Sequence, residues 1–318
     1  MAKKYDTIII GAGPGGMTAA TYASRANLSV LMLDRGIYGG QMNNTAEIEN
    51  YPGFSSVMGA DLAEKMYASA TQFGAEYAFG TVENLERQAD QTWLVTTDMD
   101  QYQANSVIVA TGAAYKKLGV PGEDEYAGRG VSYCAVCDGA FFRNQHVYVV
   151  GGGDSAVEEA VYLAGMAEQV TLIHRHATLS AQQILQKRAF DAKNLDFIWN
   201  TEVQEILGDG QAVTALRLHD KENKRDYEVA AAGIFIYVGL LPVSDMVAGL
   251  DVRDERGWIV TDETMATKQP GLYALGDVRQ KALRQITTAV GDAAIAGQNA
   301  YAYNEAFKTD TLTQEIQG

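Results

Sequence analysis

Short apolar runs that stop abruptly at glycine or at an acid set the rhythm of this chain. Residues 5–10 (Tyr-Asp-Thr-Ile-Ile-Ile) form the first such run, and successive branched residues predict a strand buried on both faces, as in a parallel sheet. Gly11-Ala12-Gly13-Pro14-Gly15-Gly16 follows at once, then a helix from about 14 to 26, then a strand from Leu28 to Leu33 closed by Asp34. Strand, GxGxxG, helix, strand and acid in that order make a dinucleotide fingerprint rather than a merely glycine-rich turn. The glycines let the backbone approach a pyrophosphate, and the helix N-terminus turns N–H groups toward it. Asp34 would accept hydrogen bonds from the ribose hydroxyls of an adenosine.

The same order of elements returns 140 positions later. His146 to Val150 reads as a strand, Gly151-Gly152-Gly153-Asp154-Ser155-Ala156 opens a second helix, and Val170 to Ile173 is the second strand. The counterpart of Asp34 is His174, and Arg175 stands opposite Arg35. This internal repeat predicts an α/β chain with two dinucleotide-binding, Rossmann-like domains. An acid in the first half favours free ribose hydroxyls, as in FAD, whereas His and Arg in the second tolerate a nearby phosphate, as in a nicotinamide nucleotide.

The connecting segments predict that the second domain is inserted into the first. Val107-Ile108-Val109-Ala110-Thr111-Gly112 is a strand running into a turn where the chain can leave, and Ile234 to Val238 reaches a similar exit at Gly239-Leu240-Leu241-Pro242. Tyr273-Ala274-Leu275-Gly276-Asp277 is a further strand whose terminal Gly-Asp can bring a carboxylate beside a polyol. The expected division is therefore 1–114 and 241–318 for the first domain and 115–240 for the second. A last helix, about 287–307, carries Ala, Tyr and Phe at helical spacing and is expected to pack against the core or at a dimer contact. The polar tail from Thr309 is expected to be disordered.

Composition narrows the partners. A formal charge of −15 over 318 residues argues against nucleic acid or an anionic membrane, so any phosphate ligand needs a local basic site. No apolar run approaches the roughly 20 residues of a membrane span. The N-terminus, Met1-Ala2-Lys3-Lys4, leads straight into a strand without a signal-peptide apolar region, so the cytoplasm is expected.

The candidate chemistry lies at Cys134-Ala135-Val136-Cys137-Asp138, which holds both cysteines of the chain. Thiols at i and i+3 can close a small disulfide ring and reopen it. In that spacing the attacking thiol's pKa falls from about 8.5 toward roughly 7, and the thiolate attacks a partner disulfide through a mixed disulfide. Asp138 can hand a proton to the leaving thiolate or take one from it. A zinc site would need four ligands, and there is no second cysteine pair and only 4 His scattered along the chain, so no metal is expected. A purely structural disulfide fits poorly with a cytosolic chain. His146 and His219 have no helpful sequence neighbours and read as surface or strand residues.

Taken together, the first GxGxxG, Gly39-Gly40-Gln41, Glu49-Asn50-Tyr51-Pro52-Gly53, Ala110-Thr111-Gly112, CAVCDG at 134–139, GGGDSA at 151–156, Gly276-Asp277 and Arg284-Gln285 closely resemble the low-molecular-weight, bacterial type of thioredoxin reductase over nearly the whole chain. The resemblance implies an FAD domain split around an inserted pyridine-nucleotide domain that carries the redox CxxC. It implies a homodimer passing electrons from NADPH through FAD to the CxxC disulfide and then to thioredoxin. It assigns Cys134 the attack on thioredoxin, Cys137 the place nearer the flavin and Asp138 the acid–base role. Gly11, Gly13, Pro14, Gly15, Gly16, Asp34, Arg35, Gly40, Gln41, Asn50, Ala110, Thr111, Gly112, Gly276, Asp277, Arg284 and Gln285 would hold FAD. Gly151, Gly153, Asp154, Ser155, Ala156, His174, Arg175 and His176 would hold the nicotinamide nucleotide. The family also rotates its two domains, and the connections near 113–117 and 240–243 suit a hinge.

One window departs from the family. Where it has His-Arg-Arg, three residues, then Arg and Ala, this chain reads His174-Arg175-His176-Ala177-Thr178-Leu179-Ser180-Ala181. Two of three phosphate-binding arginines are thus His176 and Ser180. A charge-assisted hydrogen bond contributes about 1.5–3 kcal/mol, so losing two costs roughly 3–6 kcal/mol. His176 recovers some of this, mainly below about pH 6.5. The expectation is weakened selectivity for NADPH over NADH, or its reversal, unless Lys187 or Arg188 reaches the phosphate. A smaller departure is Val243 after Pro242, where the family has Asn. Reduced ferredoxin as donor is the alternative within the wider family, but the intact loop at 151–156 argues against it. The reductase of a peroxiredoxin adds an N-terminal domain with its own CxxC, and ferredoxin–NADP reductase of related fold lacks the cysteine pair. A flavin-loaded redox sensor without turnover is the non-enzyme alternative.

Overall fold

The computed structural model describes residues 2–45 and 47–317, with side chains as far as Thr309. It divides into two compact units, one formed by residues 1–114 and 242–318 and the other by residues 115–241.

In the first unit the run at 5–10 becomes the strand Lys3–Ile10, which pairs in parallel with Val30–Asp34 on one side and Gln101–Val109 on the other. Neighbouring residues on these strands enter opposite cores. Ile9, Val30, Met32 and Ile108 join one apolar cluster, and Ile8, Ile10, Leu31, Leu33, Val107 and Val109 join the other. This is the period of two in a sheet covered on both faces, and it explains why the runs show no polar alternation. Glu76–Phe79 extends the sheet beyond Val30–Asp34, and Leu272–Ala274 adds in parallel to Gln101–Val109. The antiparallel strands Trp93–Thr97 and Val82–Arg87 complete it.

Helices α1 (Pro14–Arg25), α2 (Gly59–Thr71) and the long Ile286–Gln317 serve this unit. Along the long helix Ala289, Ala293, Ala296 and Ala300 are buried at helical spacing. A Cβ on Gly297 would lie 2.8 Å from the Tyr22 Cβ of α1, so the small residue lets the two helices approach closely. One turn beyond Ala300, fully buried Asn304 donates to Thr7 Oγ1 (3.2 Å) and Ser106 Oγ (3.0 Å), and its Oδ1 accepts from Asn105 Nδ2 (2.9 Å). The helix therefore packs on the core of its own unit, one of its two expected roles. It does not stop near 307 as expected but continues through Gln317. Extending a helix already nucleated on a buried face adds one bond per residue fixed, and Lys308 ties that region to Asp6 at 3.1 Å.

In the second unit His146–Gly151, Gln169–Ile173, Leu195–Ile198, Gly233–Tyr237 and Val131–Ser132 form a five-stranded parallel sheet. Val147, Val149, Val170 and Leu172 face one cluster, with Asp154–Ala164 and Gln183–Asp191 among its helices. Tyr148, Val150 and Ile173 face the other, covered by the antiparallel strands Thr201–Gly208, Val213–Asp220 and Arg225–Ala230. The chain crosses between units along Ala113–Tyr115 and Leu240–Pro242, which pair as a two-stranded ribbon. Among the described residues no helix is long and apolar enough to cross a membrane.

Candidate functional site

In the first unit the glycine loop leaves Lys3–Ile10 between its two parallel neighbours, where a doubly wound sheet opens a crevice. Gly11 has φ +104°, and a Cβ there would sit 2.4 Å from the Ala110 carbonyl oxygen. Gly16 leaves equally little space, since a Cβ would be 1.8 Å from the Gly11 oxygen. Gly13, at the N-cap of α1 with Pro14 as the first helical residue, has open space where a Cβ would be. The loop is thus closed toward the protein and open at the helix N-terminus, the cradle that a pyrophosphate requires.

Asp34 holds this loop directly. Its Oδ2 accepts the Ala12 N–H at 2.6 Å and its Oδ1 accepts the Gly36 N–H at 2.9 Å, which leaves lone pairs for ribose hydroxyls. Arg35 is exposed. Gly40 lies beside Gly13, with its ideal Cβ 3.3 Å from the Gly13 Cα, and Gln41 Nε2 reaches the Ala113 carbonyl at 3.5 Å. Asn50 Nδ2 donates to Gln285 Oε1 at 3.0 Å, joining two predicted residues 235 positions apart. Ala110 N–H bonds to the Ile10 carbonyl, the Thr111 hydroxyl donates to the Val243 carbonyl at 2.5 Å, and the Gly112 carbonyl accepts from Val243 N–H.

Gly276 and Asp277 form a turn at the foot of the long helix. Asp277 Oδ1 is buried with no hydrogen-bond partner, and burial raises its pKa above the usual carboxylate value. An orphaned buried acceptor is costly unless a ligand satisfies it, and the hydroxyls of a polyol or ribityl chain fit. Arg284 bonds to the Asp277 carbonyl and lies 3.7 Å above the Trp258 ring. The sequence reading missed Trp258, and it missed Asp292, which accepts from Gly276 N–H and from the nearly buried Arg279 and Lys281. No local motif marks either residue.

The second unit repeats the cradle. Gly151 abuts the Tyr237 carbonyl oxygen, 2.4 Å from an ideal Cβ, and Gly153 is the N-cap of Asp154–Ala164. Asp154 is held at both oxygens by Gln182, through its backbone N–H at 2.8 Å and its side-chain amide at 2.6 Å. Ser155 is exposed and Ala156 buried. The His174 ring lies against Gly152, and burial lowers its pKa, with adjacent His176 and Arg175 adding to the effect. Arg175 and His176 are exposed beside it, the two histidine rings 5.3 Å apart. Ser180 is committed to the loop, its N–H at 2.8 Å and its hydroxyl at 3.1 Å from the Gly152 carbonyl. Lys187 pairs with Asp191 at 2.8 Å.

Cys134 and Cys137 form a disulfide in the same unit, at the start of the short helix Ala135–Asp138. Cys134 Sγ accepts the Cys137 N–H at 3.2 Å, a bond that strengthens when the sulfur becomes a thiolate. Cys137 is exposed and Cys134 half-buried. Three supports escaped the sequence reading. Ser132 bonds to Asp138, Tyr237 Oη accepts the Ala135 N–H at 3.0 Å, and Glu159 stands near Tyr237. Glu159 Oε2 is buried without a partner, and burial pushes its pKa up to about 8. Among the described residues no cluster of His, Cys, Asp or Glu could hold a metal ion.

Known proteins share this arrangement. The chain matches the pyridine nucleotide-disulphide oxidoreductase family over residues 5–293. It is 56% identical to a thioredoxin reductase of Listeria innocua over 307 residues, 96% of each chain. It is 52% identical to that of Bacillus subtilis over 303 residues, covering 95% of this chain and 96% of the other. A crystal structure of Lactococcus lactis thioredoxin reductase, 51% identical, superposes with a TM-score of 0.93 over 95% of this chain and 99% of that one. Two dinucleotide cradles and a CxxC disulfide, together with these similarities along nearly its full length, place the chain in the pyridine nucleotide-disulphide oxidoreductase family, among the thioredoxin reductases.

Proposed function

We propose that the protein is a thioredoxin-disulfide reductase that takes electrons from NADH or NADPH and passes them, by way of bound FAD, to the Cys134–Cys137 disulfide and on to thioredoxin. The observation that carries this reading is the disulfide itself, held in the unit that carries the second cradle. FAD, when bound, supplies a two-electron link between a nicotinamide hydride and a disulfide.

On this reading the unit of residues 1–114 and 242–318 binds FAD. Gly11, Gly13, Pro14, Gly15, Gly16 and Gly40 admit the pyrophosphate, and Asp34 and Arg35 flank the adenosine. Ala110, Thr111, Gly112, Gly276 and Asp277 line the polyol, and Gln41, Asn50, Arg284 and Gln285 hold the ring end. The unit of residues 115–241 binds the nicotinamide nucleotide through Gly151, Gly153, Asp154, Ser155, Ala156, His174, Arg175 and His176. Following the family pattern, Cys134 attacks thioredoxin and Asp138 exchanges the proton; the Cys137 N–H donated to Cys134 Sγ at 3.2 Å is consistent with a stabilised thiolate there.

Selectivity for the 2′-phosphate is weak in this reading. Burial disfavours the charged form of His174, Ser180 is turned to Gly152, and Lys187 is paired with Asp191. Arg175 and His176 are the exposed groups beside the cradle that meet the phosphate in this reading, and exposed Lys187 and Arg188 are the residues whose reach would restore selectivity. The homodimeric state and cytoplasmic location implied by the family resemblance belong to the same proposal, and light scattering tests the first. Steady-state kinetics with both nucleotides tests the donor reading: comparable kcat/KM values support it, and a tenfold or greater preference for NADPH refutes weak selectivity. Flavin that bleaches with neither nucleotide under anaerobic conditions would refute a nicotinamide donor altogether.

A further inference from the structure

Ser132 is buried, with 4% of its surface exposed, in the strand that leads into the cysteine pair. Its hydroxyl makes three contacts: 2.6 Å to Asp138 Oδ2, 3.0 Å from the Cys134 N–H and 3.3 Å to the Cys134 carbonyl oxygen. A hydroxyl has one hydrogen and two acceptor sites. It can therefore accept from Cys134 N–H permanently, but it can donate to only one of the two oxygens at a time.

We infer that Ser132 is the positioning residue that couples the protonation state of Asp138 to the backbone of the redox cysteines. With Asp138 ionised, the Ser132 hydrogen points to Oδ2, the closer and charged acceptor. When a cysteine thiol gives its proton to Asp138, the S–H bond breaks, an O–H bond forms on the carboxyl and no electrons change centres. Protonated at Oδ2, the carboxyl becomes a donor to Ser132 Oγ, and the Ser132 hydrogen swings to the Cys134 carbonyl. The reverse transfer returns both hydrogens to their first positions. Ser132 touches no substrate in this scheme; it acts through Asp138.

Among the described residues Ser132 and Asp138 are the hydrogen-bonded pair that also touches the backbone of a redox cysteine. Tyr237, from Gly233–Tyr237, is the nearby phenol, but its hydroxyl is pushed to a higher pKa by burial, with the charges of Glu159 and Asp138 adding to the effect, and it accepts from Ala135 N–H. Glu159, from Asp154–Ala164, faces Tyr237. Arg129 lines the same surface cavity as Ser132 and Asp138, but its guanidinium donates to the Gly210 and Glu125 carbonyls.

The inference rests on the proposed disulfide chemistry, so its test avoids thioredoxin and nicotinamide. Flavin-loaded protein is reduced with excess dithiothreitol, freed of reductant anaerobically, and alkylated with iodoacetamide from pH 5 to 10. The wild type is compared with Ser132→Ala, Ser132→Thr, Asp138→Asn and the Ser132→Ala/Asp138→Asn double variant, with retained flavin absorbance checking the unit of residues 1–114 and 242–318 and an unchanged circular-dichroism spectrum and urea transition checking the unit of residues 115–241. Loss of one charge-assisted hydrogen bond predicts that Ser132→Ala moves the pH midpoint of thiol reactivity by about one unit. Ser132→Thr keeps the wild-type midpoint, and Ser132→Ala adds nothing to Asp138→Asn, because coupled residues are non-additive. An unchanged midpoint in flavin-loaded Ser132→Ala, or a full additional shift in the double variant, overturns the inference. A wild type that shows this coupling yet fails to reduce thioredoxin would defeat the functional reading alone.

Discussion

Replacing His176 and Ser180 by arginine is predicted to raise the preference for NADPH over NADH. Both positions are exposed and close to the second cradle, and Ser180 N–H can keep its bond to the Gly152 carbonyl because that bond needs no side chain. A charge-assisted hydrogen bond to phosphate contributes about 1.5–3 kcal/mol, while exposed ion pairs contribute about 0.2–1 kcal/mol. For solvent-facing guanidiniums an intermediate figure of about 1–1.5 kcal/mol each is appropriate, or about 2–3 kcal/mol together. At 1.36 kcal/mol per decade the ratio of kcat/KM for NADPH to that for NADH rises roughly 30- to 150-fold. The assay is nucleotide oxidation at pH 7.5 with saturating thioredoxin. Repeating it at high salt should shrink the gain, because exposed charges are screened. A change in the ratio of less than about threefold would refute the reasoning, since it would mean that these two positions do not meet the 2′-phosphate.

Three other outcomes follow from the same structure. Cys137→Ser should bind flavin normally and lose thioredoxin turnover; retained turnover in a disulfide-reduction assay would remove the cysteine pair from the reaction. Asn304→Ala should cost about 2–4 kcal/mol in urea unfolding, because Thr7 and Ser106, both fully buried, lose a donor and Asn105 an acceptor; a loss under 1 kcal/mol would contradict that role. Glu159→Gln should stabilise the ligand-free protein at pH 8.5 but not at pH 4.5. Burial raises the Glu159 pKa to about 8, so the folded state holds a proton that the unfolded state has released, and stability falls as pH rises from about 4.5 to 8. Removing that penalty is worth on the order of 2–4 kcal/mol at the upper end, and equal unfolding midpoints for variant and wild type at pH 8.5 would contradict it.

The parallel strands and both glycine loops were legible because two-sided burial leaves unbroken apolar runs, and because glycine alone fits where a Cβ would strike a carbonyl. Ile8, Ile9 and Ile10 announce a strand whichever face each one takes. The repeat at 140 positions located the second cradle without any structure. What stayed hidden are contacts between distant segments. Asp292 looks like an ordinary helical acid in sequence and becomes informative only when Gly276, Arg279 and Lys281 converge on it. Tyr237 lies 100 or more residues from the cysteines, in a strand brought beside Val131–Ser132 by the sheet, whereas Ser132 is close in sequence but is marked by no motif as the partner of Asp138. The polar residues beyond Thr309 do not announce a helix, because what extends it is the buried turns that precede them.

Anaerobic titration of the purified protein with NADH and NADPH, following flavin absorbance and then counting thiols, addresses the relay most directly. The account predicts yellow protein, bleaching by a nicotinamide nucleotide, and two newly reactive thiols per chain, one each from Cys134 and Cys137. Flavin that is reduced while the disulfide stays closed, or protein that takes up no flavin, would contradict it.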